Sequence, residues 1–228
     1  MTISVIIPTF NNASNIKDLI HDLFASRHPA ICDLIVVDGG STDQTVTLAC
    51  ESGARALRSP IKGRSAQMNY GAALAQGDIF LFLHPEVRIY KGYVDDILQL
   101  MLHADLGCFR FKYQTGKIIP KIGAWLGRIS AIFSNSVRQS LFIRRNVFEQ
   151  LGGFNNDNPI LEDYEFIQRG RAYFRFKVIK RPIIASSKKF DEHSYIKVQF
   201  VNLIVLLMYK TGFPQQKIIQ FYKRRLHR

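Results

Sequence analysis

The sequence predicts an α/β domain built on a Rossmann-like, mostly parallel sheet with helices on both faces. Over the first hundred residues, short apolar runs alternate with longer stretches of helical periodicity. Each apolar run ends at a polar or glycine-containing turn, as strands do in βαβ units. The run 79–83 is apolar throughout, which is typical of a strand covered on both faces.

Length and composition favour one well-cored domain. The chain has 228 residues, of which 47% are hydrophobic and 21% are charged. Its three cysteines are odd in number and have no metal-like spacing, and apolar residues begin at Ile3 with no signal peptide before them. We therefore expect a reduced, cytoplasmic protein.

The elements of the first half follow a regular order. Predicted strands cover residues 3–7, 34–37, 54–57 and 79–83, and predicted helices cover 15–27, 65–76 and the stretch from the Asp38 turn to 51. Ser41 and Gln44 have the spacing of a capping box, and Gly53 is placed to end the helix that follows them.

The rhythm changes after a predicted helix at 93–103. Alternation predicts strands at 107–113 and 140–144, and a helix begins at the acidic residues 162–165. Segment 118–133 is apolar with only two charges, and the apolar segment 201–209 is too short to span a bilayer, which needs about 20 residues. We predict one domain over 1–228, with a nucleotide-sugar-binding half at about 1–105 and an acceptor half with carboxyl-terminal helices at about 106–228.

The net charge differs between the two predicted halves, 1–105 and 106–228. The net charge of +13 comprises −3 from residues 1–105 and +16 from residues 106–228. A basic half favours an anionic partner, which leaves nucleic acid, anionic lipid and a phosphate-bearing substrate open. No recognition helix or aromatic platform accompanies the charge, so we expect no nucleic-acid partner.

Polar clusters stand where predicted strands end or helices begin. In open α/β sheets, ligands bind at the carboxyl ends of the strands. Acids at two such ends favour a nucleotide site bridged by a divalent metal. The clusters are residues 8–11, residues 38–43, residues 62–64 with Gln67 and Asn69, residues 84–86, and residues 162–163.

In this order the clusters resemble the family 2 glycosyltransferases of the GT-A fold, and most closely a short bacterial branch called "transferase 2, selenodomain-associated". The matching motifs are IIPTFN at 6–11, VVDGGSTD at 36–43, GRSAQMN at 63–69, GDIFLFLH at 77–84, FIRR at 142–145, GGF at 152–154, LEDYE at 161–165, SSKKF at 186–190, LMY at 207–209 and GFP at 212–214.

The resemblance implies a nucleotide-diphosphate sugar as donor. Asp38 would lie near the base or ribose, and the Arg64 guanidinium would face the diphosphate; the alternative for Arg64 is a solvated charge at a helix start. The residues implied to bind the nucleotide sugar are Pro8, Thr9, Asn11, Asp38, Gly40, Asp43, Arg64, Gln67 and Asn69.

The resemblance also implies a metal and a base. The metal motif falls on His84 and Glu86, which would hold Mg²⁺ or Mn²⁺ unless this is an ordinary strand-end turn. Asp163 is the predicted general base of an inverting transfer, with Glu162 as the alternative assignment. Acids at a helix start are also favoured by the helix dipole alone.

Three departures from the branch pattern keep a second interpretation open. Asn12 replaces the usual Glu, Glu86 replaces Asp, and Val137 and Arg138 replace a Gly-Asp pair. The alternative is a catalytically degenerate protein that binds a nucleotide sugar or a membrane surface.

The acceptor is an unknown glycan, lipid or small molecule. The apolar segments 118–133 and 201–209 either dock on the anionic inner face of the membrane or form core and acceptor-covering helices. Docking would be peripheral and would draw on the basic residues Lys223, Arg224, Arg225 and Arg228.

Overall fold

The structure is a computed structural model that describes residues 1–113, 140–157, 160–185 and 195–226. The strands are β1 (Ile3–Thr9), β2 (Ile31–Asp38), β3 (Arg55–Arg58), β4 (Ile79–Leu83), β5 (Val87–Arg88), β6 (Leu106–Tyr113), β7 (Ser140–Arg144) and β8 (Phe176–Ala185). The helices are α1 (Ala13–Phe24), α2 (Thr45–Glu51), α3 (Arg64–Leu74), α4 (Tyr93–Met101), α5 (Arg145–Gln150), α6 (Glu162–Arg171), α7 (Tyr195–Lys210) and α8 (Gln215–Leu226).

The strands form one sheet in the order β3-β2-β1-β4-β7-β6-β8-β5. β3, β2, β1 and β4 are mutually parallel, which confirms the βαβ prediction for the first half. β7 runs antiparallel to both β4 and β6, and the short β5 runs antiparallel to β8 at the edge. β6 and β8 are parallel, so the sheet as a whole is mixed but mostly parallel.

Both faces of the sheet carry a hydrophobic core, as the apolar strand β4 predicts. Its residues are all buried and alternate between two clusters, with Leu81 in one and Phe80 and Phe82 in the other. The Leu81 cluster includes residues of α1, α2 and α4, and the Phe80 cluster includes residues of α3, α5 and α6. Helices therefore cover the sheet on both sides.

A third, smaller core joins α7 and α8 to α6. It contains Leu161 and Tyr164 from the start of α6, Val201 and Val205 from α7, and Ile218 from α8. The apolar segment 201–209 lies within α7. No helix in the described part of the chain has both the length and the apolar character to cross a bilayer.

Some local predictions differ from the structure. The predicted capping box was wrong. Gln44 is the residue before α2 and makes no capping hydrogen bond with its side chain, and the Ser41 hydroxyl donates to Asp38 instead of capping the helix. The predicted stop at Gly53 was right, since α2 ends at Glu51 and Gly53 has a φ of +88°. Segment 118–133 and residues 137–138 lie outside the described residues.

α3 packs very closely on β1 and β2. A Cβ built on Gly71 would lie 2.5 Å from Ile6 Cγ2 and 3.0 Å from Val37 Cγ2, both far shorter than van der Waals contact. Glycine at this position therefore sets the distance between the helix and the sheet.

We expect Gly71→Ala to lower the free energy of unfolding by about 1–3 kcal/mol because overpacking forces α3 away from the sheet. Helix propensity alone would change stability in the other direction by about 1 kcal/mol. Urea denaturation measures the difference. Ala73→Gly, at an exposed position of the same helix, should lose about 0.5–1 kcal/mol through propensity alone. A stabilised Gly71→Ala protein would contradict the close packing.

Candidate active site

The Asp38 carboxylate shapes the turn that follows β2. It is 3% exposed, and its Oδ2 accepts hydrogen bonds from the backbone N–H groups of Gly40 (2.8 Å) and Ser41 (2.9 Å). Its Oδ1 accepts a further bond from the Ser41 hydroxyl. Gly40 has a φ of +99°, a conformation that glycine adopts without strain. Asp38 and Gly40 thus fix the course of the backbone at the end of the strand.

The turns after β1 and β2 are hydrogen-bonded to each other. Asn11 Oδ1 accepts from Thr42 N–H at 2.9 Å, and Asn11 N–H donates to Ser41 Oγ at 2.9 Å. Asp43 Oδ2 accepts from Ala13 N–H at 3.1 Å. A hydrogen bond from the Thr45 hydroxyl is the main cause that lowers the pKa of Asp43. The sequence-predicted residues Asn11 and Asp43 are brought together here, where hydrogen bonds join the two turns.

Gln67 and Asn69 use their amides to hold backbone in place. Gln67, 5% exposed, donates from Nε2 to the carbonyls of Thr9 (2.8 Å) and Val37 (2.7 Å), which joins the ends of β1 and β2. Asn69 exchanges two 2.8 Å hydrogen bonds with the backbone of Phe154. Both residues position the site's walls, and direct contact of either with a nucleotide sugar stays a prediction. Pro8 is buried within β1, beside Val37.

Arg64 lies between two buried carboxylates. Its Nη1 is 3.1 Å from Glu162 Oε1, and its Nη2 is 2.8 Å from Asp163 Oδ2. Glu162 is 4% exposed and Asp163 is 2% exposed, whereas the Arg64 side chain is 26% exposed. Burial by itself lowers the pKa of the guanidinium, but attraction to Asp163 and Glu162 outweighs burial and raises that pKa above its usual value.

Two helix starts create this cluster. Arg64 is the first residue of α3, and Glu162 and Asp163 are the first two residues of α6. The positive end of the helix dipole favours acids in the first turn of α6. Glu165, in the same turn, faces a different partner: it pairs with Arg169 at 2.9 Å, which in turn donates to the carbonyl of Gly153.

Three buried polar atoms around these elements have no hydrogen-bond partner among the described residues: Thr9 Oγ1, Ser65 Oγ and Glu162 Oε2. Buried polar atoms are rarely left unpaired, so these are positions that a bound ligand or water would satisfy. Ser65, 3% exposed, was not predicted as a site residue. Its position directly after Arg64 was the signal that could have identified it.

Arg58 was also missed by the sequence analysis. It ends β3 directly beside Asp38 in the strand register, and its side chain is exposed. A Cβ on Gly40 would lie 3.7 Å from Arg58 Nη2. A second cation therefore borders the turn that Asp38 shapes.

His84 and Glu86 follow β4 at the same edge of the sheet. His84 Nδ1 accepts a hydrogen bond from Glu86 N–H at 3.3 Å, which in a neutral ring leaves the proton on Nε2. The described residues contain no group of three or more His, Cys, Asp or Glu side chains arranged to hold a metal. Glu86 offers a carboxylate, a ligand type that Mg²⁺ prefers, and metal binding by His84 or Glu86 stays a prediction.

Comparison with solved structures identifies the fold. Staphylococcus aureus TarS 1-349 in complex with UDP-GlcNAc superposes with a TM-score of 0.69 at 18% identity, covering 99% of this chain and 72% of that chain. Glucosyl-3-phosphoglycerate synthase from Mycobacterium tuberculosis, in complex with Mn²⁺, UDP and phosphoglyceric acid, gives a TM-score of 0.67 at 18% identity, covering 93% and 79%. The central mixed sheet with flanking helices is the GT-A fold.

Sequence comparison identifies the family. The model for glycosyl transferase family 2 matches residues 4–181. An uncharacterized glycosyltransferase of Mycobacterium tuberculosis is 30% identical over 182 residues, which cover 74% of this chain and 68% of the relative. A PGL/p-HBAD biosynthesis glycosyltransferase of Mycobacterium bovis is 29% identical over 180 residues, covering 72% and 67%. The chain therefore belongs to glycosyltransferase family 2, a family of sugar-transferring enzymes.

Proposed function

We propose that this enzyme transfers a sugar from a nucleotide-diphosphate donor to an acceptor hydroxyl, with inversion at the anomeric carbon and with help from a divalent cation. The observation that carries the proposal is the buried pair Glu162 and Asp163, held by Arg64 at the start of two helices. The solved complexes of TarS with UDP-GlcNAc and of glucosyl-3-phosphoglycerate synthase with UDP support a donor of this class.

The donor's nucleoside would lie against the interlocked turns after β1 and β2. The hydrogen bonds that Asn11, Asp38 and Asp43 accept from backbone N–H groups hold these turns before any ligand arrives, so binding costs little ordering. The Asp38 carboxylate can still accept a bond from a base N–H or a ribose hydroxyl. Thr9 Oγ1, buried and without a partner in the described chain, is available to the same ligand.

The diphosphate would lie at the start of α3. Backbone N–H groups and the dipole of this 11-residue helix favour an anion at its first turn, where Ser65 Oγ is also unpaired within the described ranges. The guanidinium of Arg64 has five donors in a fork, so it can bind a phosphate oxygen while it retains a carboxylate. Arg64 would thus connect the leaving group to the catalytic acids.

Asp163 would be the general base. Its carboxylate takes the proton from the acceptor hydroxyl while that oxygen bonds to the anomeric carbon and the bond to the diphosphate breaks. The electron pair leaves with the diphosphate, and Arg64 offsets its charge. Glu162 is the alternative base, since its Oε2 has no partner in the described residues.

Glu86 would hold the cation, Mg²⁺ or Mn²⁺. Its carboxylate supplies one hard oxygen ligand after β4, with His84 beside it. When bound, such a cation neutralises charge on the departing diphosphate.

Asp163→Asn should lower kcat for sugar transfer about 10²- to 10⁴-fold, the range typical of a lost general base, and leave the donor Kd nearly unchanged. Transfer assays and calorimetric titration with the donor measure the two effects. Glu162→Gln is the matched control, because it also contacts Arg64 and should cost far less activity. If Glu162→Gln is the inactive variant and Asp163→Asn is not, the base assignment must be exchanged.

Removal of Arg64 should destabilise the fold. Arg64→Ala leaves two buried carboxylates without their cation, and we expect a loss of about 3 kcal/mol in the free energy of unfolding. Arg88→Ala, which breaks exposed pairs with Asp18 and Asp22, is the control and should cost less than about 1 kcal/mol. Chemical denaturation measures the free energy of unfolding of both variants. If Arg64→Ala loses no more than Arg88→Ala, the buried carboxylates do not need the Arg64 cation.

Donor and metal requirements can be read from thermal unfolding. With UDP-, GDP- and dTDP-sugars tested in turn, the correct donor at about 100 times its Kd should raise Tm by roughly 5–10 °C. Mn²⁺ should increase that shift in the native protein but not in Glu86→Gln. If no donor in the panel raises Tm, with or without Mn²⁺, the proposed function is contradicted. If a donor binds but is not turned over, the degenerate interpretation is favoured.

A further inference from the structure

Helix α7 is apolar on its outward side as well as on its buried side. Val201, Val205 and Leu206 are buried in the core shared with α6 and α8. On the opposite side of the helix, at a rotation of 100° per residue, stand Phe200, Leu203, Ile204 and Leu207. A helix that is apolar all round is normally enclosed by protein or lipid, so an open side requires an explanation.

The outward side of α7 is open to solvent. Phe200 is 58% exposed and Leu207 is 52% exposed, while Leu203 and Ile204 between them are half-buried. Phe213, in the turn between α7 and α8, is 48% exposed. Single exposed apolar residues are ordinary, but here three large side chains come from one helix and the turn that follows it, with two partly exposed residues between them.

Lysines stand at both ends of the apolar stripe on α7, and the neighbouring helix α8 is basic as well. Lys197 stands three residues before Phe200, and Lys210 stands three residues after Leu207, so that each lies one turn beyond an end of the apolar stripe. Lys217 is exposed in the first turn of α8, and its last turn holds Lys223, Arg224 and Arg225. No Asp or Glu occurs anywhere in 193–228.

An apolar stripe accompanied by cations distinguishes between two possible partners for this surface, a second copy of the chain and an anionic lipid bilayer. A second copy of the chain on a two-fold axis would place the same cations opposite each other, and like charges across an interface are unfavourable. An anionic lipid surface would bury the apolar side chains at the level of the headgroups and attract every one of the cations.

We propose that the outward side of α7, with Phe213 and the cations of α7 and α8, is a docking surface for an anionic lipid bilayer. α7 lies in the plane of the interface, with Phe200 and Leu207 inserted and the lysines and arginines at the phosphate level. α7 also packs on α6, since the ring centroids of Tyr209 and Tyr164 are 6.1 Å apart. Tyr164 directly follows Asp163 in α6. Docking therefore places the acceptor half next to the membrane.

Vesicle sedimentation of the full chain tests the proposal. We expect binding to vesicles of phosphatidylcholine and phosphatidylglycerol, no binding to phosphatidylcholine alone, and release at high salt. Leu207→Ser should weaken binding about tenfold, since it removes an inserted side chain. Leu102→Ser is the matched control, because Leu102 is 57% exposed elsewhere on the surface, and it should bind as the native protein does.

The charge contribution has its own control. Lys217→Glu should weaken binding at least fivefold, whereas Lys177→Glu, at an exposed position on β8, should change it little. The mutated side chains are exposed, so circular dichroism should show native folding for all four variants. The proposal is overturned if anionic vesicles are not bound, if Leu207→Ser binds like Leu102→Ser, or if sedimentation reveals a dimer that Leu207→Ser dissociates. Since binding is read without substrate, failure of the proposed sugar transfer would leave this test unaffected.

Discussion

The contact of Arg64 with Glu162 and Asp163 is the interaction on which the site depends. Arg64 and Glu162 are 98 positions apart. Their contact attaches the first turn of α3, in the first half of the chain, to the first turn of α6, in the second half. Two buried carboxylates side by side would repel each other strongly without a cation between them. Pairing with Arg64 therefore allows both acids to be buried side by side.

α3 makes three such attachments within two turns. Arg64 contacts the start of α6, Gln67 joins the ends of β1 and β2, and Asn69 holds the backbone of Phe154. Gly71 lets the helix approach the sheet closely enough for the Gln67 amide to reach two strands. Buried polar side chains need hydrogen-bond partners, and those of Gln67 and Asn69 find them in the backbone of neighbouring elements.

Local signals explain which parts of the fold could be predicted. β7 and the start of α6 were predicted at Ser140–Arg144 and Glu162, because short apolar runs and acidic helix starts are visible within a few residues. The position of β7 between β4 and β6 was not predictable in this way, since its register with β4 joins residues such as Leu83 and Ser140 that are far apart in the chain. The capping box failed for a related reason, as a carboxylate three residues before Ser41 competed for its hydroxyl.

The sequence predicts candidate site residues but not how they are arranged, and their roles stay predictions. Strand ends predicted Asp38 and Glu86 as neighbours of a ligand, and the family resemblance added Asp163, yet nothing in the sequence pairs Arg64 with Asp163 rather than with a diphosphate. Arg64 contacts Asp163 and, under the proposal, also binds the diphosphate, so one side chain fixes the position of the base relative to the leaving group. Donor binding and the placement of the base are thereby coupled through Arg64.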